Sequence, residues 1–454
     1  MHLKKLASTI SLVLIPLLAT AEKPHVVIFL ADDLGWKDVG FHDSVIETPN
    51  LDRMAQQGLE LDRFYVQAIC SPTRGALMSG KYPFNLGLQV DVIRPWDVYG
   101  LNLEEKTLPQ YFKDAGYATA IVGKWHLGLS QQAFLPQNRG FDHQYGHYLG
   151  MIDYFTHDRL GGIDWHRNGS MLKEEGYTTD LMGDEAVRVI EQHDPDQPLF
   201  LYVPLNAPHT PLQAPDKYVK KYAHIEDESR RIFAGMVDAM DVAIGRVIQA
   251  LESKGMRNDT LTMFTSDNGG RIRFGARNGK LRGGKKELFE GGIRVPTVIH
   301  WPGHLEGGKK INEVIHIVDI LPTLVGIIGQ KVSGIDGMDV LPILKGAKQS
   351  RKEVPLHIAP TRAALLDGKW KLVISAEEPV NGVSSMLVHL FDIEADPHEK
   401  TDLKDRHPKV LETMMAKIEA YRAASYPPHG FAGNSETSVP EEFTMPKIWR
   451  PWLD

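Results

Sequence analysis

The chain of 454 residues has a single cysteine, Cys70. No intramolecular disulfide can form, which excludes the disulfide-stapled scaffolds common among exported proteins. A basic surplus is also missing. Lys and Arg number 51 against 58 Asp and Glu, a net charge of −7, and this argues against a general nucleic-acid binder. An anionic partner therefore has to be met by a local basic patch. Beyond the N-terminus no apolar run reaches transmembrane length, and internal repeats and low-complexity stretches are absent. What remains, at 42% hydrophobic and 24% charged residues, is ordinary globular material. At about 100–200 residues per domain, the length suits several domains or one large α/β domain with an appendix.

Lys4 and Lys5 precede an apolar stretch from Ile10 to Ala19, which closes on Ala19-Thr20-Ala21. This pattern predicts a secretory signal peptide over residues 1–21, cut before Glu22. The stretch is short for a membrane span and contains Pro16, and no cysteine follows it to carry a lipid. The expected location is periplasmic or secreted, with no stable membrane association.

Apolar runs alternate with helical stretches, which indicates an α/β fold. Four runs share one feature. Val26 to Ala31 ends in Asp32-Asp33, and Ala118 to Gly123 ends in Lys124-Trp125-His126. Leu199 to Val203 runs into Asn206-Ala207-Pro208-His209, and Leu261 to Thr265 ends in Ser266-Asp267-Asn268-Gly269-Gly270. Ligands of open α/β sheets bind beyond the carboxyl ends of the strands, so these four polar clusters can converge. Between them, Glu228 to Lys254 carries apolar residues at three-and-four spacing and predicts a helix with one buried face. After Leu344 the texture changes to short strands at Trp370–Ile374 and Leu387–Phe391, then a helix over Pro408–Ala424. The reading is a signal peptide (1–21), a catalytic α/β domain (22–345), and a small antiparallel subdomain with a surface-wrapping tail (346–454).

Asp32, Asp33, Asp267 and Asn268 are oxygen ligands. Two carboxylates about 4 Å apart repel by roughly 4 kcal/mol at an effective dielectric of 20. A hard divalent cation removes that penalty, and an oxygen-only set favours Ca²⁺ or Mg²⁺ over zinc. Neighbouring residues on a strand point to opposite faces, so both aspartates reach one ion only if the strand breaks there. His126 and His209, at strand ends, are the candidate proton carriers. Lys124, two residues before His126, would share its face of a strand. Cys70 opens Cys70-Ser71-Pro72-Thr73-Arg74-Gly75, with Pro72 suited to a first helical turn and Gly80 to a C-cap. That places Cys70 at a helix N-terminus, where negative charge is favoured, with Arg74 one turn on. From Arg271 to Lys286 there are seven basic residues and no acidic one: Arg271, Arg273, Arg277, Lys280, Arg282, Lys285 and Lys286. Such a run is often a solvated loop. Its start beside Asp267-Asn268, and the close approach that Gly283 and Gly284 allow, favour an anion-binding loop.

The Cys70–Arg74 segment, followed by Leu77 and Gly80, resembles the signature of the type I, formylglycine-dependent sulfatases. Gly123-Lys124-Trp125-His126-Leu127-Gly128 is similar to their second signature. Further matches are Ala31-Asp32-Asp33-Leu34-Gly35, Asn206–His209, Ser266–Gly270, Leu281–Lys285 and Asp319-Ile320-Leu321-Pro322-Thr323. The resemblance implies an alkaline-phosphatase-like mixed sheet sandwiched by helices, with a small C-terminal α+β subdomain. It implies a Ca²⁺ ion held by Asp32, Asp33, Asp267, Asn268 and Cys70, the last oxidised to formylglycine by a separate maturing enzyme. By the same likeness Arg74 and Lys124 hold the formylglycine and His126 deprotonates its hydrate. His209 acts toward the leaving alcohol and Lys285 binds sulfate. Within the family the stretches Glu105–Gly128 and Arg139–Phe155 look most like arylsulfatase B, an N-acetylgalactosamine-4-sulfatase. This implies a sulfated oligo- or polysaccharide substrate such as carrageenan or chondroitin sulfate, sulfated at the 4-position of a galactose-type ring. The single cysteine and the basic loop point to a bacterial enzyme. Two other readings stand beside it. One is a phosphoester or phosphonate hydrolase of the same superfamily, which would ordinarily carry ligands for two transition metals. The other is a sulfated-glycan binder in which Cys70 is never matured.

Overall fold

The computed structural model describes residues 23–349, 351–376, 386–429, 440 and 443–453. The leader expected over residues 1–21 lies outside them. Among the described residues no helix is long and apolar enough to cross a membrane.

A strand buried on both faces reads as a continuous apolar run rather than an alternating one. The first such run forms β1 (His25–Ala31), buried throughout. The other runs become β2 (Ala118–Lys124), β3 (His143–His147), β4 (Leu199–Pro204), β5 (Thr260–Ser266) and β6 (Val298–His300). They lie in the order β6-β5-β1-β4-β2-β3 within a ten-stranded mixed sheet. β5, β1, β4, β2 and β3 are parallel, and β6 is antiparallel to β5. Their shared direction brings the ends of β1, β2, β4 and β5 to one edge.

The pleat of β1 divides its side chains between two cores. Val26, Ile28 and Leu30 join one, and Val27, Phe29 and Ala31 the other. The first core receives Ala76, Leu77 and Met78 of helix α1 (Cys70–Ser79). The second receives α2 (Thr178–Gln192) and α3 (Glu228–Ser253). α3 buries Phe233, Met236, Val237, Met240, Ile244, Val247 and Leu251, the face its spacing predicts. Its Asp227 accepts the Arg230 amide at 2.9 Å as an N-cap.

The C-terminal region is an antiparallel sheet of β7 (Glu353–Ile358), β8 (Ala363–Asp367), β9 (Trp370–Ala376) and β10 (Met386–Asp392), in that order. Helix α4 (Pro408–Ala424) buries Met414 and Ile418. The sequence reveals β9, β10 and α4 but not β7 or β8. β7 carries Pro355, which the structure accommodates because β7 is an edge strand with an irregularity between Pro355 and His357. β8 is short and built of alanine and leucine, which have little strand preference.

The two regions are joined by buried charge. Lys371 on β9 is fully buried and lies 2.8 Å from both Glu290 and Glu399. Glu399 also accepts the Glu290 amide at 2.7 Å, and Glu290 accepts the Tyr65 hydroxyl at 3.1 Å. Removing the shared cation leaves two buried carboxylates facing each other. Lys371→Met should therefore cost about 3–5 kcal/mol of stability in denaturant unfolding. A loss below about 1 kcal/mol would show that the triad does not hold the small sheet in place.

Candidate active site

Strand pairing of β1 with β5 ends at Ala31 opposite Ser266. Asp33 then adopts a left-handed backbone (φ 70°), the break needed for both aspartates to face one point. Gly35 completes the turn. A Cβ there would meet the Arg277 carbonyl at 2.3 Å, so only glycine lets the two segments approach this closely. Across the pair, the Asp267 amide donates to the Ala31 carbonyl at 3.0 Å, setting Asp267 and Asn268 beside Asp32 and Asp33.

Helix α1 starts at Cys70 and ends at Gly80, left-handed at φ 68°. Cys70 Sγ is buried, 3.6 Å from Asp32 Oδ1 and 3.4 Å from Lys285 Nζ. Around it, cations and carboxylates pair off. Lys124 Nζ donates to Asp32 Oδ2 at 2.5 Å, and Lys285 Nζ donates to Asp33 Oδ1. Arg74 donates to Asp267 Oδ2 through Nε at 3.1 Å and a terminal nitrogen at 2.8 Å, two charge-assisted bonds converging on one carboxylate oxygen. Arg74 and Lys124 thus order the carboxylates, and Lys285 is the cation within reach of Sγ.

The crowding shows in the acidities. Burial raises the Asp33 carboxyl, but the Lys285 ammonium and His209 outweigh it and hold it well below the usual range. Burial and the Asp32 charge push Asp267 up to about 6, against Arg74. Burial, then Asp267, pushes the Cys70 thiol up to about 12. The helix N-terminus therefore does not by itself produce a thiolate, contrary to what its position suggests.

The same centre fits a hard cation. Asp33 Oδ2 and Asn268 Oδ1 are buried with no hydrogen-bond partner, and orphaned buried acceptors are costly. Ligand atoms of Asp32, Asp33, Cys70 and His209 lie within 4.8 Å of one another. Asp267 keeps one oxygen on Arg74, while the other accepts the Asp33 amide at 3.3 Å. Oxygen-rich donors of this kind suit Ca²⁺.

Both histidines reach the site. β2 ends at Lys124 and His126 is left-handed (φ 60°), so the loop, not strand alternation, aims the two inward. The His126 ring lies against Gly150, where a Cβ would meet it at 2.4 Å. Its Nε2 is 3.0 Å from the Ile93 carbonyl and its Nδ1 is unpartnered. Burial, then Lys124, holds it far below the usual imidazole value. His209 Nδ1 is 2.6 Å from the Thr210 carbonyl, with Nε2 3.6 Å from Asp33. Burial lowers it to about 3, with Asp33 opposing.

Cys70, His126, His209 and Lys285 line a cavity of about 290 Å³. Its further wall includes Arg94, Trp96, Met151, Arg159 and Arg271. The sequence reading missed Arg94, Trp96 and Arg159, which sit in segments without periodicity; Arg94-Pro95-Trp96 was the available signal. It overestimated the basic loop, whose members divide. Arg271, Lys285 and Lys286 line the cavity. Arg282 instead stacks 3.8 Å from the Phe289 ring and donates to the Glu399 carbonyl.

The family model described as sulfatase matches residues 24–330, and one described as N-sulphoglucosamine sulphohydrolase, C-terminal, matches 284–424. Arylsulfatase J of Mus musculus is 33% identical over 96% of this chain and 81% of its own length. N-acetylgalactosamine-6-sulfatase of Mus musculus is 34% identical over 77% and 72%. The crystal structure of Ps i-CgsB in complex with k-i-k-neocarrahexaose matches at TM-score 0.82 and 32% identity, covering 90% of this chain and 94% of that one. These matches extend across both the ten-stranded sheet and the small C-terminal one, and the chain belongs to the sulfatase family.

Proposed function

We propose that the protein removes O-sulfate from a sulfated saccharide, most specifically the 4-O-sulfate of galactose or N-acetylgalactosamine in an anionic polysaccharide such as carrageenan or chondroitin sulfate. The proposal includes Cys70 converted to formylglycine by a maturing enzyme, one Ca²⁺ ion, and a periplasmic or secreted location. The observation that carries it is Cys70 itself, buried at the start of α1 between Asp32 and Lys285 and open to a cavity that both histidines line. The likeness to a structure holding a neocarrahexaose and to N-acetylgalactosamine-6-sulfatase supports a galactose-type ring, and the 4-position rests on the arylsulfatase B resemblance of the sequence.

Asp32, Asp33, Asp267, Asn268 and modified Cys70 would hold the ion, which supplies Lewis acidity and offsets charge on the sulfuryl oxygens. Formylglycine at Cys70, once hydrated, would supply a hydroxyl nucleophile and, through its second hydroxyl, an elimination route that serine lacks. Lys285, beside the Cys70 side chain, and Lys124 give fixed positive charge where negative charge grows. His126 Nε2 faces a carbonyl and so carries the proton, which leaves Nδ1 as the base. His209 Nδ1 is likewise the donor to Thr210, so Nε2 gives a proton to a leaving alcohol only after gaining one. The charge of a bound sulfate favours that imidazolium, as Asp33 does.

Oligosaccharides sulfated at defined positions, with NMR of the products, test the reading. Loss of sulfate from the 4-position of a galactose-type ring is expected. Cleavage confined to 6-sulfates or glucosamine-linked sulfates would overturn the substrate, and cleavage of none would overturn the activity.

A further inference from the structure

We propose that Arg159 and Arg271 form a second anion site in the wall of the Cys70 cavity, holding a charged group of the substrate other than the sulfate being removed. The ligand is a saccharide bearing at least two anionic groups, sulfate or carboxylate. The inference rests on the saccharide-sulfatase reading of the Cys70 centre.

Of the other cationic side chains at the reaction centre and in the cavity wall, Lys286 is exposed to solvent, and the buried or half-buried ones each have a carboxylate. Lys124 has Asp32, Arg74 has Asp267, Lys285 has Asp33, and Arg94 in the cavity wall has Asp91 at 2.5 Å. Arg159 and Arg271 line the same cavity, are both half-buried, and have no ion pair among the described residues. Arg271 rests its guanidinium 4.3 Å over the Phe274 ring. Burial weakens the hold of both groups on their protons, at Arg271 with the Asp33 charge opposing. Two like charges facing one cavity are stabilised by an anion that enters it.

Both are held by their surroundings. Arg159 lies in a hairpin of Asp158–Arg159 and Gly162–Ile163, which the C-terminal tail clamps. Trp449, fully buried, donates its indole N–H to the Arg159 carbonyl at 2.7 Å, and its amide to the Ile163 carbonyl at 2.9 Å. The Ile163 amide returns to the Lys447 carbonyl at 2.9 Å. A Cβ on Gly162 would meet the Pro446 carbonyl at 2.3 Å, so tail and hairpin are in backbone contact. Arg271 follows Gly270, whose amide and carbonyl are both bonded by the Asn278 side chain, at 3.0 and 3.2 Å. A backbone held in this way, with the Arg271 guanidinium resting on Phe274, loses little freedom when a ligand arrives.

The test separates binding from turnover. Titration calorimetry on the Cys70→Ala protein compares a disulfated galactan tetrasaccharide with its monosulfated counterpart, in that background alone and with Arg159→Met or Arg271→Met added. The disulfated ligand should bind at least about tenfold more tightly, as charge-assisted hydrogen bonds imply. Either methionine variant should remove most of that difference while shifting the monosulfated ligand less than about twofold. Arg159→Lys should keep part of it, because the charge stays. A monosulfated oligosaccharide containing a uronate shows which anion is taken: tight binding assigns a carboxylate, and binding like the monosulfated galactan assigns sulfate. Equal weakening of both galactans, or no preference in the parent, overturns the proposal. Intact discrimination in a protein that hydrolyses no sulfate ester would sink the functional reading and leave this site standing.

Discussion

Cys70→Ala is expected to abolish turnover, by at least about 10⁴-fold, while the protein stays folded. The fold tolerates the change because the polar contacts of Sγ are long, 3.6 Å to Asp32 and 3.4 Å to Lys285. Alanine also suits the first turn of α1 better than cysteine does. The carboxylates keep their partners, since Lys124, Arg74 and Lys285 bond them directly. What disappears is the one side chain that can become formylglycine. Cys70→Ser makes a sharper comparison. It presents a hydroxyl in the same place but has no elimination route for the resulting ester. At most about one sulfate group per protein molecule should be consumed before the reaction stops. Steady turnover by either variant, with rates above about 1% of wild type, would remove Cys70 from the chemistry.

Asp267→Ala should cost calcium and activity together. Asp267 is fully buried among Asp32, Asp33 and Arg74, so its loss removes a proposed ligand and leaves a buried guanidinium without its main partner. Breaking a buried pair in this way costs about 3–5 kcal/mol, and a lower melting temperature is expected as well. Asp267→Asn separates the two effects. It preserves shape and a hydrogen-bond acceptor for Arg74, so it should fold better than the alanine variant and still bind calcium poorly. Metal analysis after dialysis should find about one calcium per wild-type chain and well under half that in either variant. Full calcium with no activity would mean that Asp267 serves Arg74 alone. Two zinc ions in the wild-type protein would favour the phosphoester hydrolase reading.

The strand ends were legible because an apolar run that stops at Asp, Lys, His or Asn announces where a buried strand meets a site. Asp32, Asp267, Lys124 and His209 were all visible in that way. Their pairing was not, because strand alternation says nothing about a loop. Asp33 and His126 reach the site through left-handed backbones, and neither is glycine. The basic run from Arg271 to Lys286 misled in proportion to its uniformity. As a sequence it is one patch, yet Arg282 is held at Phe289 and Glu399 while Arg271 faces the cavity. The tail from Ser425 read as surface wrapping, but Trp449 within it is fully buried and supports Arg159. Contacts between segments separated by hundreds of residues leave no local pattern to read.

The central claim, sulfate-ester hydrolysis by a modified Cys70, is tested most directly by mass spectrometry of the tryptic peptide 64–74 alongside turnover. Protein produced with and without a formylglycine-forming enzyme supplies preparations that differ in the aldehyde fraction at Cys70. The account predicts that turnover of a sulfated oligosaccharide rises in proportion to that fraction and vanishes where only the thiol is found. Full activity in a preparation whose peptide carries only unmodified cysteine would contradict it.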